Sequence, residues 1–229
     1  MQNNNNIAHR HCIEVKDITK KYGRKTILQG SSFYADKSEM ISLIGRNGCG
    51  KSTLIKIIAG IIPPLSGSIH YFSQDMLKKK SLFPKICGYV PQDNPLLEKL
   101  TVKDNMALWM GHPGKIPQNT VDVFELAPLL KTPVSKLSGG MKRRVSIACA
   151  LVNTPSVLIM DEPVSAQDLH YRKKIHSVME LYLKSGGIII LATHDTDEIA
   201  MSTRCYYMDK GILNLVEDRS EKNIKSLFV

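Results

Sequence analysis

"MISLIGRNGCGKSTLIKIIAG", Met40–Gly60, sets the fold. A short apolar run ends at Gly45, a glycine-rich turn follows, and "KSTLIKII" then carries helical spacing closed by Gly60. The turn, Gly45 to Thr53, matches G-x-x-x-x-G-K-[ST] and lies between an expected strand and an expected helix. Gly45, Gly48 and Gly50 let backbone N–H groups close around phosphates, and Lys51 reaches the β- and γ-phosphates. The Ser52 hydroxyl suits Mg²⁺, and Thr53 is a further phosphate donor. A glycine-rich turn that binds nothing would need neither the lysine nor the flanking strand and helix.

Outward from this turn the chain alternates strands and helices. Towards the N-terminus, "CIEVKDI" and "ILQGSSFYA" alternate like half-buried antiparallel strands, and "PPLSGSIHYF" reads as a turn and a strand. Between 93 and 137 the pattern changes. Thr101 can cap a helix "VKDNMALWMG", "NTVDVFELAPLL" reads as a second short helix, and prolines and glycines interrupt both. A helix over 138–152, the strand "SVLIMD", the helix "HYRKKIHSVMELYLKSGG", the strand "GIIILAT", a short helix and the strand "RCYYMD" follow. "VLIM" and "IIIL" are continuous apolar runs, the pattern of parallel strands covered on both faces. The expected fold is α/β with a mostly parallel central sheet, an antiparallel β subdomain and a short helical subdomain. The expected division is 1–92 with 138–229 as the core and 93–137 as the helical part.

"VLIMDE" places Asp161 and Glu162 at a strand end, so that Asp161 can hold Mg²⁺ through water and Glu162 can polarise an attacking water. Bulk composition narrows the setting. Net charge is +10 and is spread apart from Lys78–Lys80, which suits an anionic nucleotide or an acidic membrane surface nearby. Five scattered cysteines without a C-x-x-C pair argue for free thiols in a reducing cytosol and against a zinc site. The longest apolar run, "LIKIIAGIIPPL", is interrupted by Lys56 and is too short to cross a bilayer. The N-terminal "MQNNNNIAHRHC" lacks the apolar core of a signal peptide.

These motifs, in this order, resemble the ATPase subunit of ABC transporters, and the likeness runs from about residue 12 to 216. The fold it implies is that of a P-loop NTPase of ABC type, with ATP and Mg²⁺ as ligands. Asn47 and Cys49, inside the glycine-rich turn, join the ATP-binding set. Tyr22 in "KKYGRKTIL" sits where the family stacks adenine. Gln92 in "GYVPQDN" resembles the loop residue that touches Mg²⁺ and couples the site to the helical part. "LSGGM", 137–141, resembles the family signature, whose Ser138, Gly139 and Gly140 would meet the γ-phosphate held by a second subunit. "DEPVSAQD" resembles the catalytic acid and the loop after it, ending in Asp168, and His194 in "LATHD" resembles the switch histidine.

The resemblance therefore implies a head-to-tail dimer, of this chain or with a paralogous subunit, around two ATPs. A separate transmembrane permease would be its partner at the inner face of the cell membrane, and no nucleic acid is expected. Three departures stand out: Met141 replaces the usual glutamine, "SAQD" replaces S-G-L-D, and the stretch between Gln92 and Leu137 is short for the family. Methionine at 141 resembles a group of simple bacterial exporters. A soluble ABC ATPase serving an assembly such as iron–sulphur biogenesis is the alternative, and a non-hydrolysing nucleotide-binding regulator is a further one.

Overall fold

The computed structural model describes residues 11–111, 114–164 and 169–227. In chain order the first elements are β1 (Ile13–Tyr22), β2 (Lys25–Ala35), β3 (Met40–Ile44), α1 (Lys51–Ile58), β4 (Ser66–Tyr71) and β5 (Gln74–Asp75). Then come α2 (Phe83–Ile86), β6 (Cys87–Val90), α3 (Val102–Met110), α4 (Gln118–Val123), α5 (Gly139–Leu151) and β7 (Val157–Asp161). The chain continues through α6 (Leu169–Lys184), β8 (Ile188–Ala192), α7 (Thr196–Met201), β9 (Arg204–Asp209), β10 (Ile212–Val216) and α8 (Glu221–Ser226).

Two sheets form. The first, ordered β2-β1-β4-β5, is antiparallel throughout. The second, ordered β10-β9-β3-β8-β7-β6, is parallel except for the edge strand β10, which pairs antiparallel with β9. The continuous apolar runs have the cause read from them. In β7, Val157 and Ile159 enter one core cluster while Leu158 and Met160 enter the other. β8 divides in the same way, with Ile188, Ile190 and Ala192 on one face and Ile189 and Leu191 on the opposite one. Period-two alternation on a sheet covered from both sides leaves no position for a polar residue.

Thr101 caps α3 with a full capping box: its side chain accepts from the Asp104 N–H, and Asp104 accepts from the Thr101 N–H. The second short helix differs from its expected span. α4 stops at Val123, and "ELAPLL" is not its continuation. Glu125 takes φ +50°, and a 3₁₀ turn at Ala127–Leu129 carries Pro128. A left-handed residue ends a helix, and proline within the next turn prevents it from resuming. The stretch between Gln92 and Leu137 shares its core with the rest of the chain: Val102, Met106, Val121 and Phe124 pack in one cluster with Val145 and Ala148 of α5. Among the described residues no helix is long and apolar enough to cross a membrane.

The four-residue strand β6 was hidden in the sequence, and Gly88 explains how it reaches the sheet edge. A Cβ there would lie 2.3 Å from the Ala150 carbonyl oxygen of α5 and 2.9 Å from Pro155 Cγ. Both neighbours are held in place, so the methyl group has nowhere to go. Gly88→Ala is expected to lower stability by about 1–3 kcal/mol, measured by urea unfolding. Unchanged stability would mean that α5 can slide away from β6.

Candidate functional site

Four strands of the parallel sheet end at one cleft. The carboxyl end of β3 runs into the phosphate-binding turn. Gly45 takes φ +147°, and a Cβ on it would meet the Met208 carbonyl oxygen at 2.4 Å, so only glycine lets the chain turn there. Gly50 is the N-cap of α1 and supplies no side-chain cap, which leaves the first N–H groups of the helix facing the cleft. Lys51, only 6% exposed, donates from Nζ to the Gly45 carbonyl at 2.6 Å and the Arg46 carbonyl at 3.3 Å. One cation thus stands at the uncapped N-terminus of a helix, as a polyphosphate site requires.

From β7 come Asp161 and Glu162. Asp161 is 2% exposed, and its Oδ1 accepts from Ser52 Oγ at 3.2 Å. Burial pushes the Asp161 carboxyl up from its ordinary range; the Ser52 hydrogen bond and the charges of Lys56 and Lys51 oppose this, and Glu162 adds to it. β6 leads to Gln92, whose Nε2 donates to Glu162 Oε2 at 3.2 Å. β8 leads to His194, whose Nε2 lies 3.7 Å from Glu162 Oε1. Burial and Lys51 hold the His194 imidazole below its ordinary value against the pull of Glu162, which favours the neutral ring.

The cleft holds about 500 Å³ and is lined by Asn47, Gly48, Gly50, Lys51, Ser52 and Thr53 on one side, with Gln92, Glu162 and His194 opposite. That size suits a nucleotide triphosphate end. A larger cleft of about 580 Å³ lies elsewhere, between α4 and α6, and none of these residues lines it. Magnesium fits the donor set. Ser52 and Asp161 offer two hard oxygens side by side, and Gln92 stands across the cleft. Among the described residues no three His, Cys, Asp or Glu side chains gather as a multi-ligand cage would demand. Magnesium is held by one or two protein oxygens, with waters and phosphates completing its shell.

The remaining sequence candidates lie apart from the cleft. Cys49 is half-buried and packs on the core cluster beneath the turn. Tyr22 ends β1 with 52% exposure, and Lys20 Nζ stands 5.4 Å from its ring centroid. Ser138 caps α5 by accepting from the Met141 N–H at 3.3 Å; Ser138 and Gly139 are exposed and Gly140 half-buried. A Cβ on Gly139 would meet nothing within 4 Å, so the turn faces open space. Asp168 lies outside the described residues. Sequence reading missed Ile27, which adds an apolar wall to the cleft, and Arg143, which binds the backbone behind it. Nothing in the pattern of Ile27 separates it from other strand residues. Arg143 was legible only as part of a basic run.

The chain belongs to the ABC transporter family: the family model of that description matches residues 28–165, more than half of the sequence. The spermidine/putrescine import ATP-binding protein of Spiroplasma citri is 34% identical over 222 residues, 91% of this chain and 62% of that protein. Nod factor export ATP-binding protein I of Sinorhizobium fredii is also 34% identical, over 194 residues that are 81% of this chain and 56% of its own. This chain thus spans less than two thirds of the length of either relative. A solved ATP-binding subunit of an ABC transporter superposes with a TM-score of 0.82 at 26% identity, covering 94% of both chains. Both curated relatives are transport subunits, which does not favour the iron–sulphur alternative, and equal identity to an importer and an exporter does not separate direction.

The buried Asp161 generates a prediction with a definite sign. A carboxyl whose folded pKa is raised favours its protonated form, so its charge works against folding once the pH exceeds that pKa. Asp161→Asn removes the charge and keeps an acceptor for Ser52. At pH 7 without nucleotide the variant should melt at a higher temperature than wild type, yet lose the upward shift that Mg·ATP produces. A lower melting temperature without ligand would contradict the burial argument.

Proposed function

We propose that this chain is the ATP-binding and ATP-hydrolysing subunit of an ABC transporter. The observation that carries the reading is the convergence of the Lys51 cradle, Glu162, Gln92 and His194 on one cleft. Backbone N–H groups of 47–53 and Lys51 hold the phosphates, while Tyr22 offers a face for adenine. Ser52, Asp161 and Gln92 hold the metal. Magnesium held there would supply Lewis-acid neutralisation of the charge that develops on the phosphate. Glu162 accepts the proton of the attacking water, and neutral His194 orients that water and the γ-phosphate by hydrogen bonding.

Ser138, Gly139 and Gly140 serve a second subunit. The exposure of Ser138 and Gly139 and the open space over Gly139 support this, because a helix N-terminus that does not line its own cleft is free to approach another chain's phosphate. Asp168 joins the same contact between subunits. The residues 93–137 form the lobe that meets a separate permease, and the dimer's closing and opening is the stroke passed to it at the cytoplasmic face of the membrane. Export is the direction supported by Met141.

Glu162→Gln keeps the shape of the side chain and removes its basicity. The variant should bind Mg·ATP and elute as a dimer on gel filtration, whereas wild type returns to monomer as it hydrolyses. Hydrolysis at the wild-type rate would remove Glu162 from the role of base.

A complementation experiment tests the shared site. Lys51→Ala and Ser138→Arg homodimers should each be nearly inactive. In a head-to-tail mixed dimer both defects fall into one composite site and the other site is intact. Half the dimers in an equal mixture are mixed, so roughly a quarter of wild-type activity returns. No recovery, together with no ATP-dependent dimer in the mixture, would mean that Ser138 only caps its helix.

A further inference from the structure

Arg143 lies just inside the helix that opens with the LSGGM loop, and it is 8% exposed. A buried guanidinium ordinarily meets a carboxylate. Among the described residues, every hydrogen bond that Arg143 makes goes to a main-chain carbonyl instead. Nη2 donates to Asp161 O at 2.8 Å and to Glu162 O at 2.9 Å, and Nε donates to Pro163 O at 3.0 Å. Nη1 donates to Pro91 O and, at 3.5 Å, to Gln92 O. The fields of Asp161, Glu198 and Glu162 support its charge against burial.

Three successive carbonyls thus turn towards one point. An extended strand cannot do this, because its carbonyls alternate in direction. Glu162 makes it possible by adopting φ +49°, a left-handed conformation rare for a residue with a side chain. Such a conformation persists only where its surroundings over-determine it. Two clamps do so here: the Glu162 N–H donates to Ala192 O at 2.9 Å, and the guanidinium holds the carbonyls on either side. The same fork holds the backbone of Gln92, whose amide meets the Glu162 carboxylate.

We propose that Arg143 is a positioning residue for hydrolysis: it holds the backbone of Glu162 and Gln92 in register with the helix that carries the LSGGM loop. A rigid planar fork is required, since one ammonium cannot reach five oxygens spread over two strand ends. Through Arg143, a displacement of α5 is felt at Glu162 of the same chain, while the LSGGM loop on that helix faces outwards.

The proposal rests on the reading of Glu162 as the base, and the test separates the two. Arg143→Lys keeps the charge and most of the stem. It should bind Mg·ATP with an affinity within about twofold of wild type and lose kcat by about tenfold or more, with KM little changed. In the protein without nucleotide, amide exchange across 161–164 and 91–93 should quicken by about tenfold while the rest of the sheet is unaffected. In a Glu162→Gln background the lysine substitution should cost no further activity, because the group it positions is already gone. Arg143→Ala should be at least as impaired; if it fails to fold, Arg143→Lys decides alone.

An unchanged kcat in Arg143→Lys overturns the proposal, as does a kcat loss matched by lost affinity, or additivity with Glu162→Gln. A wild-type protein that binds ATP and releases no phosphate defeats the ATPase reading instead. Amide exchange then decides whether the grip exists.

Discussion

In-register pairing of the parallel strands is the constraint on which everything else depends. β7 pairs with β8 so that Asp161 faces Ala192, and with β6 so that Met160 faces Val90. Those pairings bring Glu162, His194 and Gln92 to one edge within a residue or two of their strand ends. A slip of one residue would exchange the two faces of a strand and withdraw its terminal side chain from the cleft. The apolar residues on both faces of β7 and β8 prevent the slip, since each face has its own core cluster to satisfy. The chemistry is placed by residues that never touch it.

Much of this was legible in the sequence. Strands buried on both faces have no freedom to be polar, so "VLIM" and "IIIL" could be read directly, and the glycines before Lys51 fixed the strand-to-helix turn. What escaped was of two kinds. The strand β6 is four residues long and contains a glycine needed by a neighbouring helix, so Tyr89 and Val90 alone carry its β-propensity and the run is too short to stand out. The grip of Arg143 is directed at carbonyl oxygens, which every residue possesses, and no side-chain pattern marks them. The left-handed Glu162 escaped for the same reason: its cause is the tertiary surroundings rather than its own preference.

The basic run Lys142–Arg144 illustrates the difference between a charged helix face and its use. Lys142 pairs with Glu98 beyond the Gln92 loop, Arg143 takes the carbonyls, and Arg144 pairs with Glu125, which Lys174 of α6 also meets. Three consecutive cations thus join α5 to three separate parts of the chain. The outer two pairs have exposed carboxylates and are weakened by salt, whereas the buried fork is not. The polar ties of α5 to the strand ends therefore resist salt while those to Glu98 and Glu125 do not, and its hold on the helical stretch 93–137 rests on the shared apolar core.

Lys51 bears on how the cradle takes its ligand. Its ammonium braces the turn from within, bonded to Gly45 and Arg46 carbonyls of the same loop. A phosphate entering there exchanges places with those oxygens, so the loop does not have to be organised at that moment. The entropy of ordering the turn is settled when the protein folds, and association is left with the smaller task of trading one set of oxygens for another. The selectivity of that trade lies in charge: a neutral or singly charged oxygen acceptor offers the lysine little beyond what its own backbone already supplies.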